Sequence, residues 1–289
     1  MNSIIDMQRH QPYIVFLIAA LSFLMTIPSC KKMPNDGVPI YLEIDSVSVS
    51  ATIDQGSESH KITDVWVTAN GENRGVYTLP TKIPILASGD VRFVIGAGIK
   101  DNGISATRVE YPFYAIDEFV LSGTESGKTY KRSSVFPYLQ GTKLAIKEDF
   151  EFGNSFTELG RITAPGDQNV FEGTGAGKLY LGPNDTNIVA FNTNPFLITG
   201  AGREVYLELD YKSDAFFEVG LIYTKNSTPE SYYKITISPK EEWNKIYINL
   251  SNEAGILRAE DYRVYFKINK LADGTTATTY LDNIKLVQF

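Results

Sequence analysis

The sequence has little sulfur or imidazole chemistry to offer. Cysteine occurs once, at Cys30, and histidine twice, at His10 and His60. One cysteine excludes an intrachain disulfide framework, and two histidines argue against zinc sites that need two or three imidazole ligands. His60, in the polar stretch Gly56–Thr63, reads as a solvated loop residue. Excess basic charge is also missing. Lys and Arg total 27 against 34 Asp and Glu, a net charge of −7, which excludes nucleic acid and bare anionic lipid as partners. No Gly-x-Ser-x-Gly elbow is present. The Gly173–Lys178 stretch fails as a phosphate loop, because Glu172 stands where a glycine is required and Leu179 where Ser or Thr is required. Gly96-Ala97-Gly98 ends a strand pattern without opening a helix, which excludes a dinucleotide site. Paired carboxylates are a spatial matter and leave glycoside hydrolysis untested, but the expectation is a protein that is not an enzyme. Stability must come from packing, and 12% aromatic residues supply large apolar areas for it.

The one long uncharged run, Ile14–Ile27, is too short for a membrane span of about 20 apolar residues and fits a signal-peptide core. It is preceded by a weakly basic segment in which Asp6 offsets Arg9. Its ending, Ile27-Pro28-Ser29-Cys30, resembles the lipobox of bacterial lipoproteins. The resemblance implies a signal peptide over residues 1–29, lipidation of Cys30 as the new N-terminus, and a lipid-anchored protein of the outer membrane, on the cell-surface or the periplasmic face. Each buried CH₂ contributes about 0.8 kcal/mol, so the two or three acyl chains of such proteins hold stably where one would not.

Residues 30–37 read as a polar tether. From Val38 onward the pattern has period two. Ile40, Leu42 and Ile44 alternate with Tyr41 and Glu43, and Val65, Val67 and Ala69 alternate with Trp66 and Thr68 before Asn70-Gly71. Asn-Gly between such runs signals a two-residue hairpin, since both turn residues need φ > 0. Further strands read at Gly75–Leu79, Ile83–Leu86, Val91–Ile95 and Ala106–Tyr114, which predicts an antiparallel sandwich over 38–145 that ends in a strand and a polar linker. The segment Thr63–Gly98 resembles PEGA-like and related immunoglobulin-like modules in Asn70-Gly71, Gly75, Pro80 and Gly89, and Gly98–Tyr114 resembles Bacteroidetes-type lipoproteins in texture. Such modules are spacers or docking units, and the resemblance brings no site residues.

Residues 146–289 alternate again. Val205, Leu207 and Leu209 face away from Tyr206 and Glu208; Ile246, Ile248 and Leu250 away from Tyr247 and Asn249; Val264, Phe266 and Ile268 away from Arg263, Tyr265 and Lys267. The opening Asp149–Phe152, the central Glu242–Leu250 and the closing Tyr280–Leu286 resemble the jelly-roll domains of carbohydrate-binding modules and galactose-binding-like folds. The resemblance implies paired first and last strands and a structural calcium near them, for which Glu151 and Asp282 hold the matching positions. Calcium requires six to eight oxygens. The fold class expected is therefore all-β, an immunoglobulin-like β-sandwich followed by a β jelly roll.

For a ligand, the parity puts Tyr206, Tyr247 and Tyr265 on outward faces with Arg263, and Tyr232 pairs similarly against Tyr233. Sugar recognition uses exposed aromatic faces of this kind, whereas Trp243 reads as a core plug. The tether reaches at most ~28 Å, which keeps the first domain near the bilayer, among integral barrels and other lipoproteins. The expected role is a non-enzymatic accessory or scaffold subunit of an outer-membrane protein complex, in envelope or outer-membrane protein biogenesis. The alternative is a surface glycan-binding lipoprotein that presents its jelly roll.

Overall fold

The computed structural model describes residues 37–163, 166–198, 203–269 and 274–289. The signal segment, Cys30 and the tether up to Asp36 lie outside the described residues. The alternating runs become the strands β1 (Ile40–Ile44), β2 (Val47–Ser50), β3 (Asp64–Ala69), β4 (Glu72–Thr78), β5 (Thr81–Ile85) and β6 (Gly89–Lys100). Asn70 and Gly71 take φ of 52° and 79°, as the hairpin turn between β3 and β4 demands.

The chain continues with β7 (Arg108–Glu110), β8 (Asp117–Thr124), β9 (Thr129–Lys131) and β10 (Ser134–Pro137). One sheet runs β4-β3-β6-β7 with β8 also on β6, and the facing layer is built from β5-β1-β9 and β2-β10. Two expectations change here. The polar stretch after residue 118 is mostly strand and not a linker: Ser122-Gly123 lies within β8, and Ser126-Gly127 falls in the turn that leads to β9. The sandwich is also not wholly antiparallel, since β9 and β10 return to lie parallel to β1 and β2.

The second half comprises β11 (Lys143–Glu148), β12 (Gly160–Thr163), β13 (Gly175–Leu181), β14 (Asn187–Phe191), β15 (Val205–Ser213), β16 (Phe217–Lys225), β17 (Thr228–Ile237) and β18 (Lys240–Asn249). A short helix α1 (Ser251–Leu257) follows, then β19 (Asp261–Asn269) and β20 (Ala277–Gln288). Two sheets enclose a core, β12-β13-β20-β15-β18 with β11 beside β20, and β14-β19-β16-β17. The apolar positions named from parity point into that core: Leu207, Leu209, Ile248, Val264, Phe266 and Ile268 are all fully buried. The protein is all-β, a β-sandwich followed by a jelly roll.

Pro39–Phe289 packs as one compact unit with two hydrophobic cores. Tyr206, Tyr247 and Val287, outward residues of the jelly roll, belong to the first sandwich's core. Their sheet face is docked against Tyr111, Phe113, Tyr114 and Tyr138. The Tyr111 ring meets Tyr206 edge-on at 5.3 Å and Tyr247 at 5.0 Å.

In the middle of this apolar contact sits Glu208, fully buried. It accepts hydrogen bonds from the Tyr111 hydroxyl at 2.6 Å and the Tyr138 hydroxyl at 3.0 Å, and Lys245 Nζ lies 3.5 Å away. Buried Lys285 donates to the Ser57 carbonyl at 2.6 Å and to Tyr138 at 3.3 Å, while Ser59 donates to Asp210 at 2.8 Å. The loop Asp54–His60 thus grips the jelly roll. Residues 101–103 cap the free edge of β18: the Asn102 amide donates to the Tyr247 carbonyl and its side chain accepts from the Asn249 amide, both at 2.9 Å.

Removing one member of such a buried charged network leaves the others uncompensated. Glu208→Ala is expected to lower unfolding free energy by about 3–5 kcal/mol, measured as a shift in the chemical denaturation midpoint with one transition for both sandwiches.

Candidate functional site

The structure separates the sequence-predicted ligand residues among the junction, the jelly-roll core and the outer face of the second sheet. Tyr206 and Tyr247 do point away from the jelly-roll core, as parity requires, but that face is covered by the first sandwich, and both are buried. They are junction residues and present no platform. Tyr265 and Arg263 lie on the outer face of the other sheet. Tyr232 does not: a bulge between Val219 and Gly220 shifts the register of β17, so that Tyr232 opposes Leu221 and packs on the core, while Tyr233 opposes Gly220 on the outside. Trp243 is no core plug either. Its ring lies against the half-exposed Phe171 at 5.5 Å and its Nε1 donates to the Gln168 carbonyl at 3.0 Å.

On the outer face of β14-β19-β16-β17 the registers place Phe191, Tyr265, Gly220 and Tyr233 in one row across four strands. Gly220 is required there. A Cβ at this position would meet the Tyr232 carbonyl at 2.3 Å and the Tyr265 ring at 2.5 Å, so the ring lies down over the glycine. Tyr265 is thereby mostly covered, and burial, with Glu218 and Tyr233 nearby, raises its pKa. Tyr233 is the exposed ring of the row, at 53% exposure, with its hydroxyl 3.0 Å from Thr236 Oγ1. Polar groups border the row. Asn269 donates to Glu218 at 2.5 Å, Lys267 lies 3.6 Å from the same carboxylate, and half-buried Arg263 sits two pairs further along, opposite Ile222. Sequence reasoning missed Phe191, Gly220 and Tyr233. A glycine inside a strand pattern is the signal that could have marked the row.

Glu151 and Asp282 do not form a shared oxygen cage. Glu151 accepts from the Thr174 amide and hydroxyl, both at 2.7 Å, and from the Gly175 amide at 3.0 Å, and these bonds, the Thr174 hydroxyl first, lower its pKa. It staples the glycine-rich loop, where a Cβ at Gly173 would strike its carboxylate at 2.3 Å. Asp282 accepts instead from the Asn283 amide at 2.8 Å and the Glu172 amide at 3.3 Å. Among the described residues no group of three or more His, Cys, Asp and Glu is arranged to hold a metal. The residues present do not fit calcium at this position.

A cleft of about 470 Å³ opens where the edge strands β17 and β18 meet the loops of the first sandwich. Lys61, Lys100, Lys240 and Lys245 line it, with Asn102 and Asn244. His60, at its margin in sequence, is half-buried and not solvated: burial and then Lys245 lower its pKa.

Burial pushes the Asp282 carboxyl up to about 7, with the like charge of Asp210 adding to the effect and the Asn283 and Glu172 amides opposing it. A carboxyl raised on folding contributes stability that is fully present below its ordinary 3.8 and is lost as pH rises through about 7. Lys285, lowered to about 8 by burial, acts in a separate window between 8 and 10.5. Asp282→Asn is therefore expected to flatten the stability curve between pH 3.8 and about 7 and to raise the melting temperature at the upper end, followed by thermal unfolding across that range.

No protein-family model matches the chain, and no curated protein matches it. Among solved structures, it is similar to a family 11 carbohydrate-binding module of a cellulosomal cellulase of Clostridium thermocellum, with 16% identity, a TM-score of 0.38, and coverage of 52% of this chain and 95% of that one. It is also similar to a carbohydrate-binding module of the β-sandwich superfamily described for promiscuous specificity, at 14% identity and a TM-score of 0.36 over 77% and 84% of the two chains. A family 29 module matches at 14% identity and a TM-score of 0.33 over 50% and 87%.

Proposed function

We propose that the protein is a non-catalytic glycan-binding lipoprotein, held at the outer membrane through Cys30, that presents the open sheet of its jelly roll to a saccharide. One observation carries this reading: the row Phe191–Tyr265–Gly220–Tyr233, bordered by Arg263, Lys267, Glu218, Asn269 and Thr236. Sugar rings offer flat C–H faces that pack on aromatic rings, and their rims carry hydroxyls that pair with planar amide, carboxylate and guanidinium groups. A sheet face with aromatics in one row and polar groups on both sides meets both needs. Tyr206 and Tyr247 of the other sheet are taken up by the junction, whereas Tyr233 stands 53% exposed on this face. The scaffold reading expected from the sequence rests on the tether, which lies outside the described residues.

Affinity gel electrophoresis against a panel of plant and bacterial polysaccharides tests the proposal. Tyr233→Ala is expected to weaken the strongest interaction about tenfold or more, near 1.4 kcal/mol, with unfolding temperature unchanged. Equal retardation of the variant and the unmodified protein would sink it.

The anchor has its own test. Cys30→Ser should move the protein from the membrane pellet to the soluble fraction, followed by fractionation and acyl labelling; a variant that stays in the pellet and keeps its label would refute lipidation at Cys30.

A further inference from the structure

The cleft beside the aromatic face has a charge that the rest of the molecule lacks. The chain is acidic overall, at −7, yet the cleft wall collects Lys61 from the loop before β3, Lys100 from the end of β6, and Lys240 and Lys245 from β18, and among the described residues no Asp or Glu lines it. These lysines are far apart in sequence and come from both sandwiches, so only the docking of the two brings them together. Like charges gathered around a confined space repel one another. The Lys61 pKa is lowered, by burial first and then by Lys240 and Lys100. An anion in the cleft would remove that repulsion.

Lys245 supplies a second, independent observation. It is buried to 5% exposure, yet its Nζ makes no hydrogen bond among the described residues. Its carboxylate neighbours, Glu208 and Asp210, stand at 3.5 and 3.6 Å, beyond good hydrogen-bond distance. A buried ammonium with unused donors at the wall of a cleft is a strong anchor for an anionic oxygen, because charge-assisted bonds strengthen away from water. The remaining lining mixes amides, hydroxyls and tyrosine rings, including Asn102, Asn244, Ser238 and Tyr211, with the aliphatic Ile104, Ile235, Ile237 and Ile246. The volume of about 470 Å³ lies in the range of small-molecule sites and suits one or two sugar rings. Thr236 both lines the cleft and bonds the Tyr233 hydroxyl, so the cleft adjoins the aromatic face.

We infer that this cleft between the two sandwiches binds the acidic group of a charged saccharide, a uronate or a sulfated sugar, through Lys61, Lys240 and Lys245. The inference rests on the glycan-binding reading and names the class of glycan.

Isothermal titration of the full chain in detergent tests it with four probes: a uronate oligosaccharide, a sulfated oligosaccharide, their neutral counterpart, and inorganic sulfate. At least one acidic oligosaccharide should bind more tightly than the neutral one, with affinity falling as salt is raised, and which of the two binds identifies the anionic group. The double variant Lys61→Gln, Lys240→Gln, both at exposed positions, should lose roughly tenfold in that affinity, and Lys61→Arg, Lys240→Arg should retain it. Tyr233→Ala should keep the preference for acidic over neutral sugar. Equal binding of acidic and neutral sugars, or full affinity in the Gln double variant, would overturn the inference while leaving Tyr233-dependent glycan binding standing. Inorganic sulfate binding as tightly as the oligosaccharides would overturn the assignment of a saccharide to the cleft. Loss of all sugar binding in Tyr233→Ala, with no acidic preference in the unmodified protein, would count against the inference and leave the aromatic face as the sole site.

Discussion

A carboxylate removed from water must find its solvation inside the protein, and Glu208 finds it in the partner sandwich. Its hydrogen-bond donors are the hydroxyls of Tyr111 and Tyr138, both from the first sandwich, while the residue itself stands on β15 of the jelly roll. Neither half could bury this face alone without stranding Glu208, Asp210 and Lys285 away from their partners. Ser57, Ser59 and Tyr138 complete the pairing from the other side. An unpaired buried charge is far more costly than an exposed one, so the network favours one docking geometry over others that would bury the same aromatic area.

The function proposed follows from this constraint. Docking covers Tyr206 and Tyr247 on one outer face of the jelly roll and leaves the opposite sheet open, where Tyr233 is exposed beside the buried Tyr265. It also brings the loops at Lys61 and Lys100 against the free edge of β18, and so creates the lysine-lined cleft. The same contact satisfies the backbone of an edge strand that would otherwise present unpaired groups.

Much of the fold was legible because a period of two is a direct consequence of strand geometry. Leu207, Leu209, Ile246, Ile248, Val264 and Phe266 could be assigned to a core from spacing alone, and Asn70-Gly71 to a turn from the φ it needs. The bulge beside Gly220 was not legible, because one extra residue in β17 exchanges Tyr232 and Tyr233 between faces without altering composition. Strands β9 and β10, of three and four residues, were hidden by their short length and by the Ser and Gly around them. The pairing of β9 and β10 parallel to β1 and β2 depends on contacts across the chain that no local pattern records.

By itself, then, the sequence determined that the chain is all-β, which side chains turn inward on most strands, and that Tyr206, Glu208 and Tyr247 turn outward. Local sterics and the alternation of apolar and polar residues are enough for that. Only the tertiary structure decided what outward means. Tyr206 and Tyr247 became the floor of a second core, Glu151 became a loop staple, and Tyr233, not Tyr232, came to stand in the open. The reason is physical: a strand specifies two faces, but whether a face meets water or another sheet depends on surfaces that are distant in sequence and complementary only once both are folded.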